Sequence, residues 1–201
     1  AFNFRQIMDE KKILLVNLSK GRLGDINANL IGLVLVGKIT MAALSRVDMF
    51  GSAQKPNDFY LYIDEFQNVT TDSIASILSE ARKYRLSLNI AHQYITQLQD
   101  SIKNAVFGNV GSMAVFRVGT EDATFLESRF KPQFSARDIT KLDNRNAYIS
   151  MLANGQPIKP FNLKTLDAEK GNPDIVDSLK ELSYLKFGRD REEVETEIMA
   201  R

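Results

Sequence analysis

The run Phe59-Tyr60-Leu61-Tyr62-Ile63, followed at once by Asp64-Glu65, restricts what this chain can fold into more than any other stretch. Aromatic and β-branched residues dominate it and no turn former interrupts it. It reads as a strand buried on both faces, the kind found inside a parallel sheet. It stops on two carboxylates. In an open α/β sheet, ligands sit outside the carboxyl ends of the strands, so Asp64 and Glu65 stand where chemistry is done. The plainer alternative is a solvated strand end, because strand-end carboxylates mark sites in only a fraction of cases.

The rest of the chain supports an α/β reading. With 201 residues and 44% hydrophobic content, it is long enough to bury a sizeable core. Lys12 to Leu18 is a second buried-strand pattern, followed by the loop Ser19 to Gly24. Asp25 can cap a helix from Ile26 to about Val47, apolar on nearly all sides and expected to be wedged between layers. Its most apolar window, Leu30 to Leu44, contains Lys38 and falls short of the ~20 residues that cross a bilayer. A polar linker, Asp48 to Asp58, leads into the strand described above.

Thr71 or Asp72 then caps a helix with apolar Ile74, Ile77, Leu78 and Ala81 at i, i+3, i+4 and i+7, which places Arg82 on its flank. Leu86 to Ala91 is a third strand and ends at His92-Gln93. A short helix, Ser101 to Phe107, precedes a fourth strand, Ser112 to Val118. Thr120 to Phe130 is helical, with Glu121 and Asp122 suiting the dipole of its first turn. Alternating strands and helices with short connections predict a parallel, three-layer α/β sheet. Arg145 to Leu152 and Ile158 to Leu163 flank the hairpin signal Asn154-Gly155, with Pro157 and Pro160 confining the second arm to an edge. Past Leu163 the composition turns charged. Asp174 to Leu185 and Asp190 to Ala200 read as amphipathic helices, so residues 164–201 form a helical tail to a domain spanning 1–163.

Composition excludes some chemistry. The chain has no cysteine, hence no disulfide or thiolate site, and its single histidine, His92, makes a His-based zinc site a poor expectation. The 26 Lys and Arg nearly balance the 25 Asp and Glu, so any nucleic-acid contact must come from a local patch. Gly32-Leu-Val-Leu-Val-Gly37-Lys38 matches the string of a phosphate loop. It fails as one: Ile39 stands where a hydroxyl is needed, four branched residues replace a flexible loop, and the match lies in a helical run. Gly32 and Gly37 are better read as permitting close helix packing.

Three groups carry candidate chemistry. Asp64 and Glu65 have the form of a Walker B pair, the first carboxylate holding Mg²⁺ through water and the second polarising an attacking water. Gln93, at the end of the neighbouring strand, has an amide able to bond both a phosphate oxygen and a water; a solvated strand end explains it equally well. Arg82 offers a permanently charged fork for phosphate oxygens. Taken locally, it is as readily a surface arginine in a basic helix C-terminus.

The order of parts carries a resemblance. Asn17 to Gly24 before a long apolar helix, Tyr62-Ile63-Asp64-Glu65-Phe66-Gln67, Glu80 to Tyr84, Ala91-His92-Gln93 and Phe107 to Ser112 together resemble the HerA/FtsK superfamily. Within it they are most similar to TraG/TraD-like coupling proteins of conjugative type IV secretion. The resemblance implies a RecA-like P-loop ATPase core, a hexameric ring and ATP-driven pumping of DNA, with ATP and Mg²⁺ as cofactors. It also implies type IV secretion components as partners, and a cytoplasmic location beneath a membrane anchor carried by an upstream segment of the parent. By position, Asp64 and Glu65 match the Walker B pair, with Asp64 as the metal residue. Gln93 matches the phosphate-sensing glutamine, and Arg82 the arginine that acts in trans on a neighbour's nucleotide.

The family's Walker A loop has no counterpart in these residues. The chain is therefore expected to be the C-terminal part of a motor, incomplete at its N-terminal side and inactive alone. A non-catalytic α/β scaffold that binds a protein partner is the alternative.

Overall fold

The computed structural model describes residues 2–51, 55–70, 77, 78 and 80–200. Two compact units divide them: Asn3–Thr165 forms one, and Phe2 with the residues from Leu166 onward forms the other. The larger unit opens with α1 (Phe4–Asp9), a short α2 (Lys20–Leu23) and the long α3 (Asp25–Leu44), which tightens into a 3₁₀ turn, Ser45–Met49. Strands β1 (Phe59–Ile63) and β2 (Leu86–Ile90) follow, then α4 (Asp100–Asn109), β3 (Met113–Val115), α5 (Thr120–Phe130) and α6 (Ala136–Thr140). The unit closes with β4 (Asn146–Ser150), β5 (Leu152–Ala153), β6 (Gln156–Pro157) and β7 (Phe161–Lys164).

The fold is mixed α/β, as expected, and β1 and β2 pair in parallel from Phe59 opposite Leu86 to Ile63 opposite Ile90. β1 is buried on one face, not both. Phe59, Leu61 and Ile63 turn inward while Tyr60 and Tyr62 are 58% and 74% exposed. The period of two thus decides which side chains meet the core, and the tyrosines keep their hydroxyls in water.

Around this pair lies a core of Met8, Ile39, Ala43, Phe66, Leu86 and Ile102, all buried. A second core gathers Val115, Ala123, Leu126, Phe130 and Ile139 under β3 and β4. β3 does not join β1 and β2. It is shorter than Ser112 to Val118 and pairs antiparallel with β4, which pairs in turn with β7. The Asn154-Gly155 turn appears as read, with both residues at positive φ, 51° and 77°, and β5 and β6 closing it. β7 is the edge of its sheet, with Pro160 just before it, while Pro157 falls in β6 of the separate two-stranded β5–β6 ladder, so neither proline breaks a central ladder.

Three expectations need correction. Lys12 to Leu18 forms no strand, and Ile13 and Leu15 are each 89% exposed. A hydrophobic run signals a tendency to be covered, whereas a strand also needs a neighbour's backbone to bond. α3 is not enclosed. Ala28, Gly32, Ile39 and Ala43 are buried, but Ile26 is 83% and Met41 65% exposed. By length and mean hydropathy of 1.8 alone, Asp25–Met49 passes for a membrane span, longer than the window counted from sequence. Lastly, Gly32 and Gly37 differ. A Cβ on Gly32 would meet Val69 Cγ1 at 2.6 Å, so this glycine does permit close packing, while a Cβ on Gly37 would meet nothing within 4 Å.

The helix expected from Thr71 or Asp72 begins outside the described residues. Of its apolar stripe, Ile77 and Ala81 are buried as the spacing predicts. In the smaller unit, α7 (Val176–Phe187) and α8 (Arg191–Met199) form where amphipathic helices were read. Asp190 caps α8 by accepting from the backbone N–H of Glu192 at 2.9 Å and of Glu193 at 3.2 Å.

Candidate functional site

The ends of β1 and β2 build the site. Their ladder continues past both strands: Ala91 N–H donates to Ile63 O at 2.9 Å, and Phe66 N–H donates to Ala91 O at 2.9 Å. Between these two bonds the chain must turn sharply, and Glu65 takes up the turn with φ 49° and ψ 46°. A non-glycine residue in this left-handed region costs on the order of 1–3 kcal/mol and persists only where its surroundings hold it. Phe66, fully buried just after it, supplies part of that hold, about 2–3 kcal/mol of apolar burial. Glu65 N–H also donates to Asp64 Oδ1 at 3.0 Å.

The turn aims the Glu65 carboxylate between two amides. Gln93 Nε2 donates to Oε1 at 2.6 Å and Gln67 Nε2 donates to Oε2 at 2.6 Å. Asp64 is exposed and Glu65 half-buried. The structure thus brings Asp64, Glu65 and Gln93 to one end of the parallel pair. Gln67 was not singled out as a site residue from sequence. Its signal was available in the spacing Glu65-x-Gln67, which is readable only once the 3₁₀ turn Phe66–Val69 is known.

Two clefts open near this strand end, one lined by Glu65 and the other by Gln93. One, of about 810 Å³, lies between residues 13–18, α3 and β1, and carries Asn17, Lys20, Asp64 and Glu65 on its walls. The other, of about 860 Å³, opens between the end of β2 and the β3 region and includes His92, Gln93, Arg117 and Asp122. Both are of a size that takes small ligands. Burial pushes the His92 imidazole below its usual range, against the opposing charge of Asp122. Asp122, itself buried, accepts from Ile95 N–H at 3.2 Å and so anchors the loop that carries Gln93.

Arg82 is not beside these groups by any contact among the described residues. It is exposed on the 3₁₀ turn Ala81–Tyr84, where a helix flank was expected. Arg117 lies past the end of β3, with Nη2 donating to Asn144 Oδ1 at 2.9 Å.

A magnesium ion suits the carboxylates present. Among the described residues no group of three or more His, Cys, Asp or Glu side chains could enclose a metal. Mg²⁺ asks for less, since it keeps most of its waters and takes one or two carboxylates plus substrate phosphates. A phosphate cradle is another matter: Gly32 to Lys38 lies inside α3, its amides committed to helix bonds, so the string match is no phosphate loop here.

Residues 58–129 match the family model described as the TraM recognition site of TraD and TraG. Solved structures share the fold. Plasmid coupling protein TrwB bound to the non-hydrolysable GTP analogue GDPNP superposes with a TM-score of 0.62 at 14% identity, covering 86% of this chain and 45% of that one. TrwB with ADP and Mg²⁺ gives 0.55 at 17% identity over 69% and 37% of the two chains. The genome packaging NTPase B204 of Sulfolobus turreted icosahedral virus 2, bound to AMPPCP, gives 0.53 at 17% identity over 83% and 73%. The chain spans 36% to 45% of the length of the TrwB structures it matches. No curated protein sequence matches it.

Proposed function

From a chain that is TraG/TraD-like over residues 58–129, we propose that its parent is an ATP-driven DNA translocase of conjugative type IV secretion. In this reading the chain supplies the second half of a RecA-like, three-layer motor core that works as a hexameric ring. Asp64 would hold a nucleotide-bound Mg²⁺ through its waters. Glu65 takes a proton from, and orients, the attacking water. Gln93 reads the terminal phosphate, and Arg82 reaches a neighbour's nucleotide.

The observation that carries the proposal is the Glu65 carboxylate, turned by a left-handed residue at a strand end and held by the Gln67 and Gln93 amides at 2.6 Å. Both oxygens are fixed in direction before any substrate arrives, which is how a group that must accept a proton in one geometry is prepared. Bound Mg²⁺ would neutralise charge on the phosphates. This chain's residues do the rest: Asp64 orients through water, Glu65 accepts the proton, and Gln93, by letting go of Glu65 Oε1, can turn its amide toward a phosphate oxygen. That exchange would couple phosphate sensing to release of the base.

The direct test is the Mg²⁺ dependence of ATP hydrolysis by the full-length parent. Asp64→Asn is expected to raise the Mg²⁺ concentration for half-maximal rate at least tenfold; an unchanged Mg²⁺ curve removes Asp64 from the metal site. The 201-residue chain by itself is expected to show no Mg²⁺-dependent turnover, because the described residues include no phosphate cradle.

A second reading is favoured by the description of the matched family segment, which names recognition of a protein, TraM. Under it, this region docks a protein partner of the relaxosome kind, and the exposed Tyr60 and Tyr62 beside the strand end are contact residues. Loss of partner binding in Tyr62→Ser with hydrolysis intact would support it.

A further inference from the structure

Arg46 has no place in the chemistry above, yet it is fully buried. It sits in the 3₁₀ turn after α3, and its guanidinium joins three segments distant in sequence. Nη1 donates to Asn57 O at 2.8 Å and to Tyr84 O at 3.2 Å, while Nη2 lies 3.2 Å from Asp9 Oδ1 at the end of α1. A guanidinium remains charged at any pH the protein meets, and burying that charge is tolerated only where several acceptors converge on it. Asn57 leads into β1, and Tyr84 ends the turn that carries Arg82. The same turn is tied a second time where Phe59 N–H donates to Arg85 O at 2.8 Å. A third tie is the stacking of the Phe50 and Tyr84 rings, 5.5 Å apart.

Arg82 itself is exposed, two residues before Tyr84. An exposed arginine on a long, flexible stem can serve a neighbouring subunit only if its backbone is held at a fixed place. Among the described residues that hold this turn, Arg46 is the buried charge that fastens it to the entrance of β1 and to α1 together.

We propose that Arg46 is a positioning residue for Arg82: it fixes the Ala81–Tyr84 turn so that the Arg82 fork is presented outward to the next subunit's nucleotide. This rests on the reading of Arg82 as a group acting in trans. A residue acting this way affects the neighbour's site and leaves its own subunit's nucleotide site intact, which separates it from a residue needed only for folding.

The experiment uses co-assembled variants of the full-length parent. Arg46→Met alone is expected to lower kcat on the order of 10²-fold, the scale on which a small misplacement of a catalytic group acts, with the KM for ATP within about twofold. Mixed with Glu65→Gln, which retains Arg82 but lacks the base, Arg46→Met is expected to regain hydrolysis, since its own intact Glu65 then faces a neighbour's well-held Arg82. The reference is the Arg82→Ala and Glu65→Gln mixture, expected to regain hydrolysis in the same way. Should the reference complement while the Arg46→Met mixture stays inactive, the positioning role is overturned. Should the reference itself fail to complement, the trans reading of Arg82 falls, and this role with it. Where Arg46→Met does not fold, Arg46→Lys, which keeps the charge but not the planar fork, takes its place in the same mixtures with the same outcomes.

Discussion

Gln93 Nε2 donates to Glu65 Oε1 at 2.6 Å, across the ends of two parallel strands whose last paired residues are Ile63 and Ile90. The register of β1 against β2, the left-handed turn at Glu65 and the loop anchored by Asp122 together bring the two side chains into contact. Gln93→Ala in the full-length parent is expected to lower kcat about 10²-fold, because Glu65 loses one of its two orienting bonds. Affinity for ATP is expected to change little. Steady-state hydrolysis and nucleotide titration separate the two, and a weakened affinity with unchanged kcat would place Gln93 in binding alone.

Gln67 makes the matching bond to Glu65 Oε2, yet its own Oε1 is buried and lacks a partner among the described residues. Gln67→Leu removes one hydrogen bond together with that unsatisfied acceptor, so its effect on stability is expected within about 1 kcal/mol. Hydrolysis by the parent is expected to fall as for Gln93→Ala. Chemical denaturation of this chain and turnover of the parent check the two halves independently.

Gly32 and Gly37 give a paired prediction on one helix. Gly32→Ala would drive a methyl into Val69, the last residue of the 3₁₀ turn behind the site, and is expected to destabilise by about 1–3 kcal/mol. Gly37→Ala meets open space on an exposed helical position and is expected to stabilise by up to about 1 kcal/mol. Opposite signs in urea midpoints confirm the placement of α3; equal signs contradict it.

How far the sequence speaks is visible in these residues. The apolar runs of β1 and β2 and their parallel order were legible, and so was the meeting of Asp64, Glu65 and Gln93 at one end, because strand ends in a parallel pair align. Gln67 was not, since its bond to Glu65 depends on a left-handed backbone that no side-chain pattern announces. Hydrophobicity misled at Lys12 to Leu18 and on α3, where it reports what prefers to leave water and not which surface lies opposite. Arg46 drew no attention in the sequence, because its three partners, Asp9, Asn57 and Tyr84, are brought together only by the fold.

His92 sets a pH dependence. Its folded-state pKa is depressed, with burial the leading cause and Asp122 opposing. As pH falls through ~6.5, the unfolded chain binds a proton that the folded chain resists. The stabilisation is thus complete above ~6.5 and declines below it, toward the lower folded-state value. Glu127 and Asp138, both held below the usual carboxylate range, first by bonds from Lys131 and Ser135 respectively, lose their contribution only at more acid pH, below ~4.5. Thermal unfolding of this chain between pH 7.5 and 5 is expected to show a falling Tm that flattens in His92→Gln. An unchanged slope in the variant contradicts the assignment to His92.

Glu65 is proposed as the base of a nucleotide-hydrolysing site. The most direct measurement of that role is ATP binding and turnover by the full-length parent carrying Glu65→Gln, a substitution that keeps the size of the side chain and removes its basicity. Nucleotide affinity within a few-fold of the original, with hydrolysis reduced on the order of 10²- to 10⁴-fold, is the predicted result. Turnover near the original rate would contradict it and leave Asp64-Glu65 as a solvated strand end.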